Sequence, residues 1–227
     1  QSPAGEKLRV SGIELDEARR RLLYKLSEER AKLPDRKEGD FPEPPRSVLI
    51  SHLPAINFSF QTAAQMTPEL AALCPECVYV PLELLAEKPG VADAFRENGA
   101  EIVAALPSAA FGEKEENELR TLLAKVHESG VTQALTGNLG LAMMAGQEGY
   151  RIRGDFDLAV MNGYTLSGMA SAGFLSAMLS PELTFADIRE MPKCLDTELA
   201  VYGRLPVMVT QNCLLKASAG RCTCTTP

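Results

Sequence analysis

Residues 77–107 read CVYVPLELLAEKPGVADAFRENGAEIVAALP. A β-branched and apolar run, CVYVPL (77–82), gives way to a helical stretch over 83–97. Asn98-Gly99 then stops the helix, and a second strand-like run, EIVAALP (101–107), begins. A strand, a helix and a strand within about 30 residues is the pattern of a parallel crossover unit. The same alternation continues in both directions. Strands are predicted at 47–52 (SVLISH), 132–137 (TQALTG), 151–160 (RIRGDFDLAV), 177–180 (AMLS) and 198–203 (ELAVYG). Helices are predicted near 61–73, 113–129, 139–147, 164–173 and 183–191, with Ser129-Gly130 ending one of them. Ser180-Pro181-Glu182 is read as starting the last, with Ser as N-cap and Pro at N1.

Strict alternation implies parallel strands with helices outside them. The expected fold is α/β, a TIM-like (β/α) barrel. About 250 residues are usual for eight units, and roughly 180 are present here, so the barrel is expected to be seven-stranded or incompletely closed. No Gly-x-Gly-x-x-Gly turn follows a strand, which argues against a dinucleotide-binding sheet.

Ahead of this body, GIELDEARRRLLYKLSEERAKLP (12–34) spaces Ile13, Leu15, Leu22, Leu23, Leu26 and Leu33 as an amphipathic helix, closed by Pro34. DRKEGDFPEPPR (35–46) reads as a charged, proline-rich linker. The domain expectation is therefore 1–45 as helix and linker, the tail of a preceding region, and 46–227 as the barrel, cut at its C-terminal cysteine cluster.

The 227 residues are 45% hydrophobic and 23% charged, with a net charge of -7. Ten Lys/Arg and nine Asp/Glu within residues 1–40 leave 13 basic against 21 acidic beyond them. An acidic body without a basic run disfavours direct nucleic-acid binding. No apolar run approaches the roughly 20 residues of a membrane span, and QSPAGEKLRV lacks the apolar core of a signal peptide. Six cysteines in a chain this long do not form a small disulfide scaffold, and a cytoplasmic location is expected.

Chemistry in parallel barrels gathers at the carboxyl ends of the strands. The polar residues there are His52, Asn57, Ser108 (after Pro107), Asn138 (after Gly137), Asn162, Ser180, Glu182, Tyr202 and Arg204. The ligand mouth is expected from Asn138, Asn162, Ser180, Tyr202 and Arg204, with Arg204 able to fork onto a carboxylate. Glu182, the carboxylate of the set, is the candidate general base, on condition that burial raises its pKa. A peptide or small polar molecule suits such a ring. Of the two histidines, His127 falls late in a helix, and only His52 ends a strand. Neither an HExxH pair nor a Gly-x-Ser-x-Gly elbow is present.

Cys74 and Cys77 form a CPEC at the entry of a strand and read as core packing, and Cys194 is isolated. Cys213, Cys222 and Cys224 lie in a polar stretch near the end. Three thiolates there suit zinc or an iron-sulfur cluster, on condition that a fourth ligand completes the set.

GNLG (137–140), GDFDLAVMN (154–162), LSPEL (179–183), ELAVYGRLPVM (198–208) and the cysteine ten residues after Gly203 occur in an order that resembles the bacterial collagenase-like peptidases of family U32. Within that family they are most similar to large multidomain members with a collagenase-type insertion. The resemblance spans Val48 to Cys224. It implies an irregular TIM-like barrel and, for activity, either peptide hydrolysis or service in RNA or cofactor hydroxylation through a cluster held by four cysteines. By position, Cys213 matches the cysteine of a Ser-Gly-x-Cys element, and Cys222 and Cys224 fall near later ones. Pro206 stands where cluster-bearing members have cysteine, and Ala159 where the family often has asparagine. Three functions are thus carried forward: a peptidase or peptide-binding barrel of a larger polypeptide whose other domains are its partners, an iron-sulfur accessory, and a non-catalytic scaffold barrel.

Overall fold

A computed structural model describes residues 11–34, 39, 42–46, 54–206, 208–210 and 212–221. The chain divides into two compact units, Gln1–Pro42 and Glu43–Pro227. In the first, helix α1 (Gly12–Ala31) opens on a capping box: Glu14 N–H donates to Ser11 Oγ at 3.2 Å, and Ser11 N–H donates to Glu14 Oε2 at 2.9 Å. None of its residues is buried. The predicted apolar stripe, Ile13 through Leu26, lies in solvent. No helix among the described residues is long and apolar enough to cross a membrane.

Among the described residues the second unit is one sheet of seven strands: β1 (Phe58–Ser59), β2 (Cys77–Pro81), β3 (Glu101–Ala105), β4 (Gln133–Thr136), β5 (Arg151–Gly154), β6 (Ser176–Met178) and β7 (Asp196–Glu198). They are ordered 1-2-3-4-5-6-7, and every neighbouring pair is parallel. Helices connect them: α2 (Pro68–Ala71), α3 (Leu82–Glu87), α4 (Asp93–Glu97), α5 (Gly112–Glu128), α6 (Leu139–Gln147), α7 (Gly163–Ser171) and α8 (Phe185–Glu190), with α9 (Leu214–Ala219) following the sheet.

Alternation along each strand sorts side chains to two faces. Val78, Val80, Ile102, Ala104, Ala134, Ile152 and Ala177 face the helices, where they pack with Leu82, Leu85, Phe95, Leu123, Val126 and Leu166. The opposite face carries Cys77, Tyr79, Val103 and Leu135 as a smaller apolar cluster. On that same face β5, β6 and β7 place Arg153, Ser176 and Glu198.

These polar groups reveal the curvature of the sheet. In a flat sheet, β2 and β7 would stand about 24 Å apart, five strand spacings of about 4.8 Å. Instead Tyr79 Oη donates a short hydrogen bond to Glu198 Oε2. The sheet is therefore curled into a TIM-like half-barrel, and among the described residues its two sides meet through side chains rather than through strand pairing.

Four sequence expectations are corrected. The strand predicted at 151–160 ends at Gly154. There the Asp155 carboxylate accepts from Phe156 N–H and turns the chain into a 3₁₀ segment, Phe156–Leu158, that closes with Ala159 at φ 49°. The final strand is Asp196–Glu198, not 198–203. The last ladder bond runs from Leu179 N–H to the Glu198 carbonyl, and beyond it Val201 and Tyr202 are exposed. The helix expected from Ser180 starts at Phe185, where Thr184 and Asp187 form a capping box that Ser180-Pro181-Glu182 cannot supply. The helix expected over 61–73 is a 3₁₀ turn, Ala63–Gln65, and the short α2, divided at Thr67-Pro68 because the residue before a proline is pushed to extended backbone. The strand predicted at 47–52 lies outside the described residues.

Candidate functional site

Glu198 is the last residue of β7, and its side chain is 13% exposed. Oε1 accepts from Ser176 Oγ at 2.6 Å and from Arg153 Nη1 at 3.2 Å. Oε2 accepts from Tyr79 Oη and from Asn57 Nδ2, the latter at 2.8 Å. Four donors from four strands or their flanks thus occupy the four lone-pair positions of one carboxylate. Arg153 is held in turn by Gln133, whose Oε1 accepts from its Nε at 2.8 Å. Asn57 ties the group to the start of β2 by accepting from Cys77 N–H at 3.0 Å. No buried side-chain nitrogen or oxygen among the described residues lacks a partner. A charge this enclosed is tolerable because it is paired and fully hydrogen-bonded.

The network also sets the titration of its neighbours. Burial, reinforced by the Glu198 charge, pushes the Tyr79 phenol far above its ordinary range, so it remains a donor. Burial lowers the Arg153 pKa, yet the anionic forms of Cys77 and Tyr79 and the Glu198 carboxylate outweigh it and raise the net value. The Cys77 thiol is pushed up to about 11 by burial, with Glu198 adding to the effect against Arg153. Alkylation at pH 8 is therefore expected to label the exposed Cys74 and Cys213 promptly and Cys77 only after unfolding, as read by peptide mass spectrometry. Equal native-state labelling of Cys74 and Cys77 would contradict this packing.

Toward the carboxyl ends of the strands the network opens onto Asp155. One residue past β5, it continues the register of Arg153. Its Oδ1 accepts from Phe156 N–H at 2.8 Å, and Oδ2 has no partner among the described residues. Burial, followed by the charges of Asp157 and Glu198, raises its pKa above the ordinary aspartate value. Arg153 Nη2 is likewise unpartnered among the described residues. Since no buried polar atom among the described residues lacks a partner, both atoms keep contact with solvent.

Asp157 lies at the same end, seated against the β4–α6 turn. A Cβ added at Gly137 would fall 2.3 Å from Asp157 Cβ and 3.3 Å from its Cα. This close approach explains a glycine in GNLG opposite the second aspartate of GDFD. Gly137→Ala is expected to destabilise the chain by about 1–3 kcal/mol, measured by urea denaturation, and an unchanged midpoint would refute the contact. Asp157 also lines an open cleft of about 430 Å³ with Ser108, Ala109, Phe111, Pro206, Met208 and Val209.

The residues expected from the sequence are distributed differently. Asn57 joins the Glu198 network. Asn138 caps α6, accepting from Gly140 and Leu141 N–H and donating Nδ2 to the Ser108 carbonyl at 3.2 Å. Asn162 caps α7 and lines a separate cleft of about 420 Å³ with Arg46, Tyr164 and Pro192. Ser180 is buried and accepts from Glu182 N–H at 3.3 Å. Glu182, Tyr202 and Arg204 are exposed. His127 packs edge-on against Tyr150, with ring centroids 5.2 Å apart. His52 lies outside the described residues.

For a metal or cluster the described residues offer little. Cys213 is exposed, and its sulfur accepts from Lys216 N–H at 3.3 Å as the N-cap of α9. Cys222 and Cys224 lie outside the described residues. Among the described residues no three His, Cys, Asp or Glu side chains converge as a metal site.

The model of one protein family, Peptidase family U32, matches residues 85–225. No curated protein matches the chain significantly. Among solved structures, D-psicose 3-epimerase with D-tagatose from Clostridium cellulolyticum H10 is similar at 9% identity with a TM-score of 0.38, over 59% of this chain and 68% of that one.

Proposed function

Because the chain belongs to peptidase family U32, we propose that its half-barrel binds a peptide over the carboxyl ends of the strands and hydrolyses it, with Asp155 moving the proton. The observation that supports this reading is Asp155 itself. It is a half-buried carboxyl with one oxygen that no donor occupies among the described residues and a pKa raised by burial and by neighbouring charge. Such a group accepts a proton from water or returns one to a leaving amine more readily than a solvated carboxylate does. Arg153 Nη2, two residues back along β5, is available to hold a peptide carbonyl or carboxylate. Glu198 holds Arg153 and Tyr79 in position, its own lone pairs being spent on four donors. Asn138 and Ser180 belong to the proposed rim.

That saturation of Glu198 also favours a second reading, a barrel that binds peptides without cleaving them. One experiment separates the two: peptide binding and cleavage by the native chain, Asp155→Asn and Glu182→Gln. Cleavage lost in Asp155→Asn and kept in Glu182→Gln supports hydrolysis through Asp155. Binding without cleavage in all three supports the scaffold. Loss of cleavage in Glu182→Gln instead would return the catalytic role to the exposed carboxylate.

A further inference from the structure

We propose that the cleft between the β3–α5 loop and Pro206, Met208 and Val209 receives a lysine or arginine side chain of the bound peptide. The inference rests on the peptide reading above and names the side chain that the site prefers. The cleft measures about 430 Å³, enough for a long side chain with room for solvent, and it opens at the same end of the sheet as Asp155.

Its walls and its charge call for different parts of one ligand. Phe111, Pro206, Met208 and Val209 line it with apolar surface, and Phe111, Met208 and Val209 are 46%, 71% and 56% exposed, an unusual amount of apolar area beside a polar mouth. The charged group in the lining is Asp157. Its carboxylate has neither a hydrogen-bond nor an ion-pair partner among the described residues, while its Cβ is pinned against Gly137. Asp157 is exposed, so its carboxylate stands at the mouth of the cleft with no protein counter-charge among the described residues. Around it, Asp155 and Glu198 add negative charge, and Arg153 already serves Glu198. An aliphatic stem with a cationic tip covers the apolar walls and supplies the missing counter-charge. A purely apolar side chain would satisfy the walls and leave Asp157 unpaired, and an acidic one would meet repulsion.

The test uses a matched peptide series differing at one position, with lysine, arginine, norleucine or glutamate, and measures affinity by calorimetry for the native chain and for Asp157→Asn. The lysine and arginine peptides are expected to bind the native chain about tenfold or more tighter than the norleucine peptide, as befits a charge-assisted hydrogen bond. In Asp157→Asn that preference should fall to about twofold. Equal native affinity for lysine and norleucine would overturn this inference and leave the peptide reading intact. Absence of binding to every peptide would overturn both. Should Asp157→Asn unfold, Phe111→Asp offers an independent check, since a second carboxylate in the cleft should strengthen the preference for the basic peptides, and no change there would count against the cleft.

Discussion

Glu198→Ala is expected to lower folding stability by about 3–5 kcal/mol, the usual cost of stranding one partner of a buried ion pair. The change removes the counter-charge of Arg153, whose side chain is 15% exposed, and leaves the Tyr79 hydroxyl, Ser176 and Asn57 without their acceptor. It also removes the group through which the two sides of the curled sheet meet. Urea denaturation monitored by far-ultraviolet circular dichroism reads the loss directly. A double variant, Arg153→Met with Glu198→Leu, should recover much of it, because two apolar residues leave no charge unpaired. A loss below about 1 kcal/mol in Glu198→Ala would mean that the network carries little of the fold.

The second large effect concerns activity. Asp155→Asn is expected to lower peptide cleavage by about a hundredfold or more, the lower end of what a positioned general base contributes, while folding is preserved. Asparagine keeps an oxygen to accept from Phe156 N–H, so the 3₁₀ turn is retained. The sign of the stability change is informative. Burial, then the charges of Asp157 and Glu198, raise the folded-state pKa of Asp155. For a carboxyl shifted this way, the native state resists losing a proton that the unfolded chain gives up readily. The resulting penalty is absent below the unfolded pKa, grows as pH rises toward the folded pKa, and persists above it. Asparagine removes that penalty, so at neutral pH the variant should be at least as stable as the native chain while being inactive. Native activity should rise with pH through a pKa above that of an ordinary aspartate. A variant both inactive and strongly destabilised would indicate a structural role for Asp155.

Two strand boundaries explain why the sequence pattern points to Glu182 and passes over Asp155 and Glu198. Reading 151–160 as one strand buried Asp155 inside the ladder. In fact Gly154 ends the strand, and the aspartate caps the turn that follows. Reading ELAVYG as the last strand put Glu198 at its beginning, far from the mouth. The strand is instead the polar Asp-Thr-Glu just before it, a segment with no β-branched apolar run to mark it. Arg153 was visible in principle, since Arg-Ile-Arg-Gly alternates with period two and Ile152 faces the helices. The parallel half-barrel was legible because its signal is spread over many residues. Buried runs such as CVYVP and EIVAA cannot be other than interior strands when long helical patterns separate them. The ends of β6 and β7 carry only three residues each and depend on tertiary pairing, which local pattern does not report. Glu182 reads as a site residue because it follows a strand, and among the described residues it is exposed.

A double-mutant cycle between Tyr79→Phe and Glu198→Gln tests whether β2 and β7 meet across the interior of the half-barrel through these two side chains. Each change keeps the shape of its side chain while weakening the shared hydrogen bond. Direct contact predicts that the two stability losses are non-additive by about 1–2 kcal/mol. Additivity within about 0.3 kcal/mol, the behaviour of separated sites, would mean that the sheet does not curl so far and that the polar mouth described here is not assembled.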